Sequence, residues 1–252
     1  GHFNWKRPLY FISVSGSLGA FDGIEKYIVQ EGAVWKLVPY QAEIPIDVDK
    51  SYDLLMNKYN YGNFSDNNVN YDYYSDISMR GFRYPFMWTL QHAMNQNDTI
   101  RSINLSNKYF DNMPKASTGL HEVASISMLN PYIKYNVKDR YNIITDLANE
   151  HIKQFEYLKL IDLNGDANSL FINSIEKIFL LNDLIKNNED EEIILIKDKI
   201  NDVIPSMEIE LENQPAVIKF KTSKNQKERQ NIYKNNRSVQ LYNDALLKRQ
   251  TE

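Results

Sequence analysis

The sequence predicts a mainly α protein, with a small N-terminal α/β unit followed by stacked helical hairpins of the tetratricopeptide-like α-α superhelix kind. Three observations carry this prediction. Up to Pro39, short β-branched and aromatic runs flank one helical run. From Ser78 to Ile204, apolar side chains return at helical spacing in successive blocks. Between the blocks stand clusters of Asn, Asp, Gly and Pro, which end helices and open turns.

The first run, Leu9 to Gly16, reads as a strand, and Pro8 suits its start because the missing N–H matters least there. Asp22 to Gln30 reads as a helix on the spacing of Ile24, Tyr27 and Ile28, with Gly32 at its C-terminal cap. Ala33 to Val38 reads as a second strand. Asp47 or Asp49 opens a helix through Tyr59, with Tyr52, Leu55, Met56 and Tyr59 on its inner face. Asn60 to Tyr74 has no helical period and reads as a long loop, a length that is uncommon without a function. Its rings Tyr61, Tyr71, Tyr73 and Tyr74 are candidate binding residues, since Tyr is favoured at interfaces.

Helices are predicted over Ser78–Met94, Thr99–Met113, His121–Tyr135, Asp139–Leu160, Ala167–Asn187 and Glu189–Ile204. Ile144, Leu147, Ala148, His151, Phe155 and Leu158 form one stripe, and Phe171, Ile175, Ile178, Phe179 and Leu181 another. A pair of such helices spans roughly 34 to 40 residues, the register of tetratricopeptide-like repeats, although that repeat's consensus residues are mostly missing. Val217 to Phe220 reads as a brief strand or extended segment, and Lys221 to Arg249 as an amphipathic helix or a partly disordered tail. The domain division that follows is 1–62, 75–206 and a C-terminal extension over 207–252.

Composition narrows the function. Hydrophobic residues make up 42% of the 252, and aromatics reach 12%, led by 17 Tyr, so most of the chain is expected to fold. A net charge of -4 makes no general basic field, so no nucleic-acid partner is expected. With no Cys there is neither a disulfide nor a thiolate site, and no apolar run is long enough to span a bilayer. The start, Gly1-His2-Phe3-Asn4, lacks an initiator Met and reads as cut from a longer protein.

Catalytic constellations are weak. His2, His92, His121 and His151 lie far apart without a second ligand at metal spacing, so no metal and no cofactor are expected. His151 falls on an apolar stripe and reads as a hydrogen-bonded core imidazole. Ser13 to Gly19 is Gly-Ser-rich, but its glycine spacing matches no phosphate fingerprint and a plain turn is the favoured reading. Asp47, Asp49 and the acids from Glu189 to Glu192 sit where helices begin, which suits capping better than acid-base work.

Three segments carry a family resemblance. Asn4-Trp5-Lys6-Arg7-Pro8-Leu9-Tyr10-Phe11, then Gln30 to Pro39 with Glu31-Gly32 and Leu37-Val38-Pro39, then Tyr52 to Asn63 with Tyr61-Gly62-Asn63, stand in order. Together they resemble segments of the large multi-spanning membrane proteins of Bacteroidetes grouped as domain of unknown function 2723. That family is similar to glycosyltransferases that use a lipid-linked sugar donor, the protein O-mannosyltransferase-like enzymes, with a membrane core followed by an extracytoplasmic tail. The resemblance implies a non-catalytic periplasmic accessory domain that positions acceptor polypeptide or the membrane core, anchored at the inner membrane by a region this chain does not contain. The family's catalytic carboxylate is expected in that core, so no catalytic residue is carried over. Arg7, Glu31 and Lys36 are matched positions for which ligand binding and a structural ion pair both stand open, although Lys36 replaces the family's usual Arg. Asp98-Thr99-Ile100 fits the short O-glycan attachment pattern of that phylum, and equally suits a helix start. An envelope scaffold and a stand-alone glycan-active enzyme are the alternative functions.

Overall fold

The computed structural model describes residues 7–12, 23–62, 65–66, 73–113, 122–161 and 166–251. They fall into two compact units, Gly1–Val137 and Lys138–Glu252. The chain is mainly helical, with a small antiparallel sheet near its N-terminal end.

In the first unit β1 (Tyr10–Phe11), β2 (Ile28–Glu31) and β3 (Val34–Leu37) pair in the order β1-β3-β2. Here the predicted helix over Asp22 to Gln30 gives way to one 3-10 turn, Ile24–Tyr27, and then to β2. The register pairs Glu31 with Val34, so Gly32 and Ala33 form a two-residue hairpin turn and Gly32 caps no helix. The helical spacing of Ile24, Tyr27 and Ile28 misled because all four β2 side chains are buried, which leaves no alternation to read. The outer edge of β2 is covered: the Gln30 N–H donates to the Pro45 carbonyl at 2.9 Å, and Asp47 N–H donates to the Gln30 carbonyl at 2.9 Å.

Asp47 then caps α1 (Val48–Asp53) by accepting from the Lys50 N–H at 2.9 Å, as the sequence predicts. The helix runs on as one π turn, Leu54–Lys58. α2 (Tyr73–Asn95) and α3 (Thr99–Asn112) form a helical hairpin. Its joint is a Schellman turn: Asn97 takes a φ of 55°, Asp98 N–H reaches back to the Ala93 carbonyl, and Asn97 N–H to that of Met94. Asp98 caps α3 by accepting from Arg101 N–H at 3.0 Å, so Asp98-Thr99 does the work of a helix start. The single helix predicted over His121 to Tyr135 is two, α4 (Glu122–Met128) and α5 (Asn130–Lys134), because Pro131 sits in the first turn of the second. Asn136, φ 56°, ends α5 with the same turn, Val137 N–H bonding the Tyr132 carbonyl.

The second unit is all helix: α6 (Tyr141–Lys159), α7 (Asp166–Ile185), α8 (Glu191–Glu212), α9 (Pro215–Thr222), α10 (Gln226–Asn235) and α11 (Arg237–Thr251). Every member of the predicted α6 stripe is buried, His151 fully so, and Phe155 stacks on Phe171 of α7 with ring centroids 5.5 Å apart. Phe179 is half-buried instead, its ring 6.0 Å from the Lys248 ammonium. α8 does not stop at Ile204. Pro205 removes one helical hydrogen bond, a cost of about 3 kcal/mol, but Met207 and Leu211 beyond it are fully buried, each worth about 1.5–3 kcal/mol. Burial outweighs the break.

Val217 to Phe220 is helix, not strand. Pro215 occupies the first helical turn of α9, and Val217 packs out of solvent. The tail beyond it is ordered as α10 and α11, held by buried Ile232, Val239, Leu241 and Tyr242. The two units meet at Val137 and Lys138; α2 packs on α1, α3 and α4, and α11 packs on α7, α8 and α9.

Gly32 tests the hairpin. A Cβ there would stand 2.3 Å from Tyr59 Oη, at a φ of 61°. Gly32→Ala is expected to lower stability by about 1–3 kcal/mol, read as a lower urea midpoint; an unchanged midpoint would show that Tyr59 does not pin the turn.

Candidate functional site

The three segments that carry the family resemblance meet in space. Glu31, at the end of β2, accepts from Lys36 Nζ of β3 at 2.8 Å and from Tyr10 Oη of β1 at 3.3 Å. Tyr59, from the third segment, accepts the Ala33 N–H at 3.0 Å, and Ser51 Oγ accepts the Gly32 N–H at 2.9 Å. Gln30 Nε2 closes the turn by donating to the Gly32 carbonyl at 2.9 Å. Glu31 and Lys36 thus tie strand to strand, and their polar groups face each other. Arg7 is exposed just ahead of β1.

Of the candidate ring residues, Tyr61 is 4% exposed and points inward, donating to the Leu55 carbonyl at 2.7 Å. It presents no ring to a partner. The predicted loop ends earlier than Tyr74, since Tyr73 and Tyr74 lie in the first turn of α2. Tyr71 lies outside the described residues, as do the Ser13 to Gly19 turn, His2 and His121.

The tyrosines build a core instead. Tyr59 and Tyr61 each meet the Phe82 ring edge-on at 5.7 and 5.9 Å, and Tyr61 leans on Phe86 at 5.8 Å. The chain continues from Phe86 to Tyr109, Phe110 and Tyr132 at 5.5, 5.2 and 5.9 Å. Two of its hydroxyls are satisfied inside the unit: Tyr109 shares a 2.8 Å hydrogen bond with Ser125, and Tyr132 donates to Asn107 at 2.9 Å.

Two features of this unit escaped the sequence. Trp35 of β3 meets Trp88 of α2 edge-on at 5.7 Å, and Tyr84 stacks on Trp88 at 5.5 Å with 39% of its surface exposed, making a partly open aromatic platform. Arg83 is 1% exposed on the face of α2 that carries Phe86, Leu90 and Ala93, and none of its three guanidinium nitrogens has a hydrogen-bond partner. Periodicity could have flagged Arg83, since it sits on the stripe at i, i+3, i+7 and i+10.

Two of the open grooves of the second unit combine charged and apolar side chains. One, of about 520 Å3, lies between α6 and α8 and is lined by Asp146, Glu192, Asp198 and Asp202 with Lys199 and Leu195. The other, of about 800 Å3, lies on α9, α10 and α11 and is lined by Phe220, Lys224, Arg229, Tyr233, Lys234 and Leu247, with amides between them. Among the described residues no group of His, Asp and Glu could hold a metal ion, and no helix is long and apolar enough to cross a membrane. Comparison with protein-family models, with curated proteins and with solved structures finds no match for this chain.

Two predictions follow from the first unit's polar groups. The hydrogen bond to Glu31 holds the Lys36 ammonium above its ordinary pKa of 10.5, and burial pushes the Tyr61 phenol above its ordinary 10.0. Both groups bind their proton more tightly in the folded state. Their stabilisation is therefore whole below the unfolded values and is lost as pH rises through them toward the folded ones. The urea midpoint is expected to hold up to about pH 10 and to fall as pH rises further. Tyr61→Phe should flatten that fall while costing about 1 kcal/mol at neutral pH, because the Leu55 carbonyl loses its donor.

Arg83→Met should raise the urea midpoint at neutral pH, by about 1–4 kcal/mol in stability, since a buried cation without a partner is replaced by an apolar chain of similar length. A lowered midpoint would count against uncompensated burial at this position.

Proposed function

We propose that the chain is a non-catalytic extracytoplasmic accessory module of a membrane-bound protein O-glycosyltransferase, working on the periplasmic face of the inner membrane. It holds acceptor polypeptide or orients the membrane core. The observation that carries this reading is the interlock of the three resembling segments. Tyr10, Glu31, Lys36 and Tyr59 come from all three and are spent on one another and on the Gly32-Ala33 turn. Segments that interlock in this way keep each other in place, and their polar groups favour a structural role over chemistry at those positions.

The helical part supports a holding role. Its open grooves are bordered by charged and amide side chains, which suit recognition of a polar chain. No cofactor enters this reading.

The test is deletion of the stretch from Tyr10 to Thr251 in the parent membrane protein, with the membrane core shown to be inserted and folded. Loss of glycan from acceptor proteins, seen as a mobility shift and by mass spectrometry, is the expected result. Unchanged modification would overturn the proposal.

A further inference from the structure

Cations are concentrated on α9, α10 and α11, in a chain whose net charge is -4. They divide into two kinds. Four outside the larger groove have carboxylate partners: Lys219 with Glu228 at 3.3 Å, Lys221 with Glu212 at 3.9 Å, Arg237 with Glu176 at 2.6 Å, and Lys248 with Asp183 at 2.6 Å. Those lining the groove, Lys224, Arg229 and Lys234, have no carboxylate partner among the described residues, and no Asp or Glu among those residues lines it. Lys227, in the neighbouring hollow along α10, is unmatched as well. The three cations that face this groove thus meet no acid among the residues described there.

The groove's other groups narrow the ligand. Arg229 lies 4.7 Å over the Phe220 ring, which holds the guanidinium ready without satisfying its donors. Tyr233 and Leu247 offer apolar surface, with 40% and 61% of their area exposed. Gln226 and Gln230 stand among the cations, each a donor and an acceptor at once. That pairing complements a peptide backbone, whereas a phosphodiester backbone presents only acceptors. A flat bilayer surface would use the rim of this groove and leave its lining amides without a partner.

Arg229 and Lys234 both line the groove, five residues apart on α10, which is roughly 7.5 Å along the helix axis and about 140° around it. Alternate side chains of an extended strand are about 6.7 Å apart. We propose that the groove on α9, α10 and α11 binds an extended polypeptide segment with acidic side chains at alternate positions. The carboxylates meet Arg229 and Lys234, Lys224 takes a third, and the two glutamines bond the intervening backbone. This rests on the reading of the chain as a module that holds a partner, and names the partner's chemistry.

The test uses the purified 252-residue chain and fluorescence anisotropy with a labelled peptide of alternating Glu and Val. Parallel arms use the same peptide with Gln for Glu, a single-stranded thymidine oligonucleotide, and vesicles of phosphatidylglycerol. The Glu peptide is expected to bind, more weakly as salt rises, and the Gln peptide at least about tenfold less tightly. The double variant Lys224→Gln/Lys234→Gln should weaken binding by about tenfold, near the upper end for two exposed charge pairs, with its thermal melting unchanged. Arg229→Lys keeps the charge and loses the stack on Phe220, so it should retain part of the affinity. Equal binding of the Glu and Gln peptides, an unaffected double variant, or binding of the oligonucleotide or vesicles in place of the peptide would each overturn the proposal. Because the purified chain is used, failure here leaves the deletion result in the parent protein standing, and the two outcomes are distinguishable.

Discussion

Two backbone N–H groups in one tight turn organise the first unit. Gly32 N–H donates to Ser51 and Ala33 N–H to Tyr59, both from the helix that follows the sheet. A two-residue turn leaves such donors pointing out of the hairpin, where burial without a partner would cost about 1–3 kcal/mol each. Supplying the partners from α1 and its π turn fixes that helix against the hairpin. Gly32 has no Cβ, which lets the Tyr59 ring come close enough to bond the turn. From Tyr59 the aromatic chain runs through Phe82, Tyr61, Phe86 and Tyr109 into α3 and α5. The sheet and the helices of this unit are therefore held by one continuous set of contacts.

The second unit uses different materials. Its interior is largely aliphatic, with Ile144, Ile175, Ile178, Ile193, Ile196 and Ile200 packed at helical spacing around the Phe155–Phe171 stack. Its polar residues do their work on the surface. Asp190 caps α8 and also receives Lys138, whose hydrogen bond holds that carboxyl below the usual range. Lys219, Lys221, Arg237 and Lys248 of the last three helices are matched to acids of α7, α8 and α10, while Lys224, Arg229 and Lys234 gather around one groove. Sorting of this sort concerns interaction more than stability, because exposed ion pairs contribute little to folding.

Most helices could be read from the sequence, because a buried stripe at helical spacing is a local signal. Asp47, Asp98 and Asn97 could be read as stops and starts for the same reason: each bonds its own neighbours. β2 could not, since a strand buried on both faces loses its alternation. Nor could the continuation of α8 past Pro205, which depends on what Met207 and Leu211 bury against. For the candidate site, the resemblance marked Arg7, Glu31 and Lys36 as matched positions without pairing them, and only the fold of β2 on β3 brings Lys36 to 2.8 Å from Glu31. The tyrosine-rich stretch misled, because Tyr serves cores and interfaces equally well and composition does not tell them apart.

The spacing of apolar residues, the caps and the lack of Cys already settle a mainly helical chain without disulfides or thiolate chemistry, for these depend on neighbours a turn apart or on residue type alone. The burial of Tyr61 and Arg83, the platform of Trp35, Trp88 and Tyr84, and the gathering of Lys224, Arg229 and Lys234 in a groove without acids depend on something else. Each joins residues from different elements or turns on which face of a helix the neighbours cover. Those choices come from packing between elements, and no local pattern along the chain encodes them.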